Sequence, residues 1–143
     1  MKHLSNVAVA TALLRVSLGV MFVSHSMILK YHVFTLEGTA GYFVSLGLPA
    51  LLAYVVFWME AVGGLLLILG IGSRWVSLAL LPILIGAVWT HSGFGWVFAN
   101  ANGGWEYPLY LAVLAVAQAL LGDGAFALGH KLVPGRRLSV ATS

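Results

Sequence analysis

The sequence predicts an all-α integral membrane protein, a four-helix bundle whose two ends both lie on the cytoplasmic side of the bilayer. Of its 143 residues, 61% are hydrophobic and 8% are charged, whereas a soluble domain carries about 25% charged residues. Four apolar stretches approach the roughly 20 residues that a helix needs to cross the hydrocarbon core. The few cations gather mainly at one end of these stretches, which predicts the orientation.

The four predicted spans belong to one domain, residues 1–130, followed by a polar cytoplasmic tail at 131–143. The first span is preceded by Lys2, but it is longer than the apolar part of a signal peptide and ends without a small-residue cleavage site. We therefore predict that it is retained. The spans cover approximately residues 7–29, 50–71, 75–92 and 107–128.

The connections between spans differ in length. The segment from Gly70 to Arg74 reads Gly-Ile-Gly-Ser-Arg, a tight turn that predicts an antiparallel hairpin of the second and third spans. Two longer loops are expected, one from Lys30 to Pro49 and one from Ser92 to Glu106.

The distribution of lysine and arginine predicts which side each loop faces. Lys30 is the single such residue on one side of the predicted spans, Arg15 lies within the first span, and the short turn and both ends carry the other five. By the positive-inside rule, the short turn and both ends face the cytoplasm and the two long loops face outward. The cations assigned to the cytoplasmic side are Lys2, Arg74, Lys131, Arg136 and Arg137.

Two charged residues fall inside the predicted spans. Arg15 and Glu60 both lie roughly 12 to 15 Å deep, at 1.5 Å of rise per residue. A lone charge at that depth is costly, so we expect an intramembrane Arg15–Glu60 pair. Gly19 shares a helical face with Arg15, and Gly63 and Gly64 share one with Glu60, which predicts close approach of the two helices. The pair is interpreted as a structural clasp or as a protonatable or ligand-binding site.

A second polar layer is predicted at the outer ends of the spans. It could hydrogen-bond a quinone head group while aromatic side chains pack against the ring. A divalent metal on His25, His91 and Glu106, or a haem on the two histidines, is less favoured because no i,i+4 ligand spacing is present. The residues of this layer are His25, Lys30, His91, Glu106 and Tyr107.

Composition also excludes several kinds of chemistry. The chain has no cysteine, so thiol nucleophiles, disulfide exchange and iron–sulfur ligation are excluded, and we expect no covalently bound cofactor. The seven lysines and arginines form no extended basic face, which argues against nucleic-acid binding. The expected surroundings are the lipid bilayer and either a partner protein or further copies of the chain.

The order of polar and glycine residues resembles the DoxX family. The opening pattern is carried by Arg15, Gly19, Phe22, His25 and Lys30, with Ser26 where the family usually has glycine. The similarity continues through Gly47-Leu48-Pro49, Glu60, Gly63-Gly64, Gly70, His91 and the run from Asn102 to Pro108. It covers roughly residues 10–130 and weakens towards the end, where Gly122-Asp123-Gly124 is present but a downstream acidic residue is missing.

This resemblance implies a compact four-helix protein of the bacterial cytoplasmic membrane, in a family often tied to redox systems. Relatives include the membrane part of a thiosulfate:quinone oxidoreductase and a membrane component of an oxidative-stress complex. Because a fold does not fix chemistry, three hypotheses remain. The first is a membrane subunit of a redox complex that anchors a redox partner and couples it to the quinone pool. The others are a non-catalytic assembly or anchoring protein and, less favoured, a small-molecule or proton carrier.

Overall fold

The computed structural model describes residues 5–129, and within this range every regular element is helical. Helix α1 spans Asn6–Val23 and continues directly into a π-helical segment, Ser24–Val33. Four more α-helices follow: α2, Leu36–Ser45; α3, Ala50–Leu69; α4, Ser73–His91; and α5, Glu106–Leu121. The predicted all-α class is therefore confirmed, whereas the predicted tail at 131–143 lies outside the described residues.

Three helical segments are long and apolar enough to cross a membrane. They are Asn6–Val33, Ala50–Leu69 and Ser73–Phe94, and they match the first three predicted spans. Large apolar side chains cover their outer faces, for example Leu13 at 69% and Leu51 at 71% exposure. Such faces are expected for contact with lipid.

The fourth predicted span is shorter than expected. Helix α5 has 16 residues and ends at Leu121, so it rises about 24 Å, less than the roughly 30 Å of a hydrocarbon core. Gly122 follows with φ +83° and Gly124 with φ +66°, conformations that leave the helix. The prediction that the span continues to residue 128 is wrong because it counted apolar residues and missed the Gly122-Asp123-Gly124 break.

After this break, residues 122–129 fold back over the end of the helices, and we call them the closing segment. The backbone N–H of Ala125 donates to the carbonyl of Ala8 at 2.9 Å. The N–H of Leu128 donates to the carbonyl of Leu69 at 3.0 Å. The closing segment thus joins the start of α1 to the end of α3.

The expected loop from Lys30 to Pro49 contains helix α2. The hydroxyl oxygen of Thr35 accepts a hydrogen bond from the N–H of Gly38 at 3.1 Å, which caps the helix. Gly47, with φ +79°, and Pro49 follow its end. The prediction of a plain loop was wrong because a ten-residue helix falls below the length used to recognise spans.

Four helices close into a ring around the apolar core. Helix α1 packs against α3 and α5, α4 packs against the same two helices, and α2 lies against α3. At the α1–α3 crossing, a Cβ added at Gly19 would lie 2.7 Å from the carbonyl oxygen of Gly64, so the predicted glycine-mediated approach is confirmed. The core includes Leu18, Phe22, Leu67, Leu80, Leu84 and Leu111.

The tight turn between α3 and α4 is confirmed. Gly70 has φ +71° and Gly72 has φ +62°, and the N–H of Ile71 donates to the carbonyl of Leu66 at 3.0 Å. This geometry is a glycine-ended helix terminus. It reverses the chain within three residues and sets α3 and α4 antiparallel.

Candidate functional site

Glu60 forms an ion pair with Lys30. The ammonium nitrogen of Lys30 donates to Oε2 of Glu60 at 2.6 Å, and the two side chains are 16% and 5% exposed. Lys30 comes from the π-helical segment and Glu60 from the middle of α3. The pair therefore fastens the end of the first span to the second while neutralising a carboxylate that would be costly to bury alone.

The predicted Arg15–Glu60 pair is wrong. Arg15 is 1% exposed, and its Nη2 donates to the carbonyl of Ala125 at 3.2 Å. Its guanidinium lies against Gly70, just beyond the end of α3, whereas the ion pair lies at the middle of that helix. Ten residues separate Gly70 from Glu60, which is about 15 Å along a helix.

Arg15 instead belongs to a polar centre beneath the closing segment. The negative charge of Asp123 stabilises the charged guanidinium. Its Oδ1 also accepts a hydrogen bond from the N–H of Ser73, at the start of α4, at 2.8 Å. The equal-depth estimate failed because it ignored the length of the arginine side chain, which reaches towards the helix end. Leu18 and Phe22 on α1 lie between this centre and His25.

The π-helical segment determines the direction in which the Lys30 side chain points. In an α-helix, residues five apart point about 140° away from each other, since each residue turns 100°. In a π-helix, the i to i+5 hydrogen bond brings such residues one above the other. His25 and Lys30 are five apart within Ser24–Val33, so the π-helical geometry brings them to the same side. This arrangement was not predicted because an α-helix was expected throughout the first span.

An open cavity of about 870 Å³ lies beside His25. Its walls are mainly aromatic, contributed by the first turns of α5 and by the loop that precedes it. The His25 and Tyr107 rings face each other with centroids 6.4 Å apart and planes inclined by 21°. The lining consists of His25, Trp96, Phe98, Glu106, Tyr107, Leu109, Tyr110 and Val113.

His25 offers one ring nitrogen to the cavity. Its Nδ1 lies 3.0 Å from the carbonyl oxygen of Met21, and a carbonyl can only accept, so Nδ1 carries the hydrogen. In the neutral ring, Nε2 is then an acceptor. Within residues 5–129, Nε2 has no protein hydrogen-bond partner, so it remains available to a ligand.

Glu106 lines the cavity and also fixes its wall. Its Oε1 accepts the backbone N–H of Phe98 at 3.0 Å. The N–H of Glu106 itself donates to the carbonyl of Trp96 at 3.1 Å. These bonds hold Trp96 and Phe98 against the start of α5, where the Phe98 and Tyr107 rings are 6.1 Å apart.

His91 is not part of the cavity lining. Its Nδ1 lies 3.0 Å from the carbonyl oxygen of Asn102, and its ring meets the edge of Phe94 at 6.0 Å. The residues of the predicted polar layer therefore lie in three different places. The cavity is lined by His25, Glu106 and Tyr107. Lys30 pairs with Glu60, and His91 contacts the carbonyl of Asn102 in the loop before α5. Among the described residues, no three His, Asp or Glu side chains are grouped closely enough to hold a metal ion, so His25, His91 and Glu106 do not form the suggested metal set.

Some cavity residues were missed from the sequence. Trp96, Phe98 and Tyr110 are absent from the predicted polar layer, yet all three line the cavity. One sequence feature could have indicated these cavity residues, because aromatic residues precede the Gly103-Gly104 pair. In the structure, the loop crosses itself at Gly104. A Cβ at Gly104 would collide with the backbone of Trp96 and Val97.

Comparisons with known proteins agree with the residue pattern. The family model described as DoxX matches residues 10–93. A Bacillus subtilis (strain 168) protein named "Putative oxidoreductase CatD" is 33% identical over 129 residues, which make up 90% of this chain and 91% of that protein. None of the solved structures matches the chain significantly.

Proposed function

Because the chain belongs to the DoxX family, we propose that it is the membrane subunit of a redox complex and that its aromatic cavity binds a quinone head group. The relative in Bacillus subtilis is named as an oxidoreductase, which supports a redox setting. The chain has no cysteine, so in this proposal a partner protein with its own redox cofactor delivers the electrons. The quinone is the substrate, and it takes up two electrons and two protons to become the quinol.

The observation that carries the proposal is the aromatic cavity with one free imidazole nitrogen. Ligand sites are typically apolar clefts of about 300–1,000 Å³ with a few polar groups that fix orientation. At about 870 Å³, this cavity can hold a substituted ring between Trp96, Phe98 and Tyr110. His25 is placed to hydrogen-bond a ring oxygen, through Nε2–H when the imidazole is protonated.

The charges around the cavity favour a neutral ligand. Among the described residues, its lining includes no lysine or arginine, and nearby Lys30 is already paired with Glu60. An anionic ligand such as a lipid phosphate would find Glu106 and no lysine or arginine in the described part of the wall. A quinone ring carries no charge and meets this environment without a desolvation penalty for an ion.

The test is equilibrium binding of decylubiquinone to the purified protein in nanodiscs, followed by quenching of tryptophan fluorescence. We expect saturable quenching, and we expect His25→Ala to weaken binding about tenfold, the effect of losing one hydrogen bond of about 1.4 kcal/mol. His91→Ala is the matched control because His91 is not part of the lining, and it should bind like the unchanged protein. Equal affinity of the folded His25→Ala variant and the unchanged protein would contradict the site assignment.

The assembly hypothesis has its own supporting observation. The hydrogen bonds of His91 and Glu106 hold the outer loop, and Lys30–Glu60 holds two helices together, so these polar contacts could act in packing alone. An anchoring protein would show no saturable quenching by decylubiquinone. Deleting this anchoring protein would lower the amount of assembled partner complex, whereas the activity of each assembled complex would stay unchanged.

A further inference from the structure

A second cavity adjoins the proposed head-group cavity. It is an open groove of about 460 Å³ along the outer side of α1, and it shares His25 and Tyr107 with the larger cavity. The two therefore meet at the facing His25 and Tyr107 rings. We call the second cavity the α1 groove, and its other lining residues are Val16, Ser17, Val20, Met21 and Ser24.

The α1 groove runs away from the polar end of the first span. Nine residues separate Val16 from His25, a rise of about 13 Å. Val16 and Val20 are one turn apart and lie on the same side of α1, 36% and 52% exposed. The groove thus begins at the imidazole and continues along an apolar face towards the middle of the predicted span.

We propose that the α1 groove binds the isoprenoid tail of the quinone whose head group occupies the aromatic cavity. This inference rests on the proposed function and adds that the ligand is a tailed, membrane-dissolved quinone rather than a small soluble one. The continuity of the two cavities at His25 and Tyr107 gives one path for head and tail. The head group lies at the polar end, and the tail extends into the apolar part of the helix.

A phospholipid acyl chain is the competing occupant, and the charges argue against it. A phospholipid in the groove would bring its phosphate to the His25 end. Within residues 5–129, neither cavity has a lysine or arginine in its lining, and Lys30 is engaged by Glu60 at 2.6 Å. An uncharged quinone ring fits this end of the groove without needing a lysine or arginine.

The experiment uses two photoreactive probes in nanodiscs containing the full chain. One is a decyl-tailed quinone with a diazirine at the tail end, and the other is a fatty acid with the same diazirine. After irradiation, labelled residues are located by mass spectrometry. We expect the quinone probe to concentrate its label between Val16 and Met21, and we expect the fatty acid to label lipid-exposed faces of all the helices.

A pair of variants makes the test specific. Val20→Trp fills the α1 groove and should reduce quinone-probe labelling of α1 severalfold. Val7→Trp places the same ring on an exposed part of α1 that is outside the groove lining and about 140° around the helix from Val20, and it should leave the labelling unchanged. Both sites are on an outer face, so both variants are expected to fold, which a melting curve checks.

The outcomes separate the two proposals. If the same quinone without a tail quenches tryptophan fluorescence but the tailed probe labels the protein in the fatty-acid pattern, the tail assignment is overturned and the head-group cavity stands. Unchanged labelling of folded Val20→Trp overturns it as well. If neither the tailed nor the untailed quinone binds the unchanged protein, the proposed function fails and the tail assignment fails with it.

Discussion

Gly104 shows how a single backbone position shapes the cavity wall. The loop before α5 crosses itself there, and any side chain would meet the backbone carbonyls of Trp96 and Val97. These carbonyls cannot retreat easily, because that of Trp96 accepts the N–H of Glu106 at 3.1 Å. A glycine is required because no Cβ fits, and the positions of the Trp96 and Phe98 rings depend on it.

Gly104→Ala is therefore expected to lower the free energy of unfolding by about 1 to 3 kcal/mol, the usual cost of overpacking, and to weaken decylubiquinone binding. Thermal melting in detergent and tryptophan quenching measure the two effects. Gly93→Ala is the matched control, since a Cβ at Gly93 meets nothing within 4 Å. A Gly104→Ala protein with unchanged melting and unchanged affinity would show that the crossing is not tight.

The ion pair acts at the scale of elements because it fastens the π-helical segment to α3. Glu60→Gln leaves the Lys30 ammonium buried without its carboxylate. We expect a loss of unfolding free energy below the roughly 3–5 kcal/mol of a broken, fully buried pair, because the Lys30 side chain keeps 16% exposure. Chemical unfolding of the detergent-solubilised protein measures the loss.

Exchanging the two charges separates pairing from other effects of residue 60. The double variant Lys30→Glu with Glu60→Lys should recover a large part of the lost free energy if the interaction is the one seen between Nζ and Oε2. Glu37→Gln removes an equivalent charge from an exposed position on α2, and it should have little effect. A folded exchange variant no more stable than Glu60→Gln alone would argue against the pair.

Several elements were predictable, and the others failed for identifiable reasons. Three spans and the Gly70 turn follow from length, hydropathy and glycine, signals that are local in sequence. The π-helical register of Lys30 was not predictable, since Ser24–Val33 contains no glycine or proline to mark a change of helix type. The partner of Glu60 depends on that register, so Arg15 was chosen from depth alone. His25, Glu106 and Tyr107 line one cavity, and each lies at the end of a predicted span.

At the scale of the whole molecule, the arrangement has two polar ends separated by an apolar core. Arg15 and Asp123 mark one end and the aromatic cavity marks the other, and the Lys30–Glu60 pair joins the end of the first span to the middle of α3. Between them lie core residues such as Leu18 and Leu67. If the predicted orientation is right, the cavity faces the outer half of the membrane and a cytoplasmic partner would approach the Arg15 end.

Orientation can be measured directly because the chain has no native cysteine. Ala99→Cys lies in the exposed loop before α5, and Ser5→Cys lies at the exposed start of α1. In intact bacterial cells, a membrane-impermeant maleimide should label Ala99→Cys, whereas Ser5→Cys should react only after the inner membrane is opened. The reverse result would invert the predicted topology and place the cavity on the cytoplasmic half.

The closing segment has a consequence for the order of biosynthesis. A ribosome releases α1 first, so the buried Arg15 enters the membrane long before Ala125 and Asp123 exist. Until residues 122–129 emerge, its guanidinium lacks the carbonyl that it later contacts at 3.2 Å, and the unfinished chain must expose it to water, lipid head groups or the insertion machinery. Residues 122–129 thus supply polar partners for a charge in the first helix, and a nascent chain stopped at Leu121 is expected to be a substrate for membrane quality control.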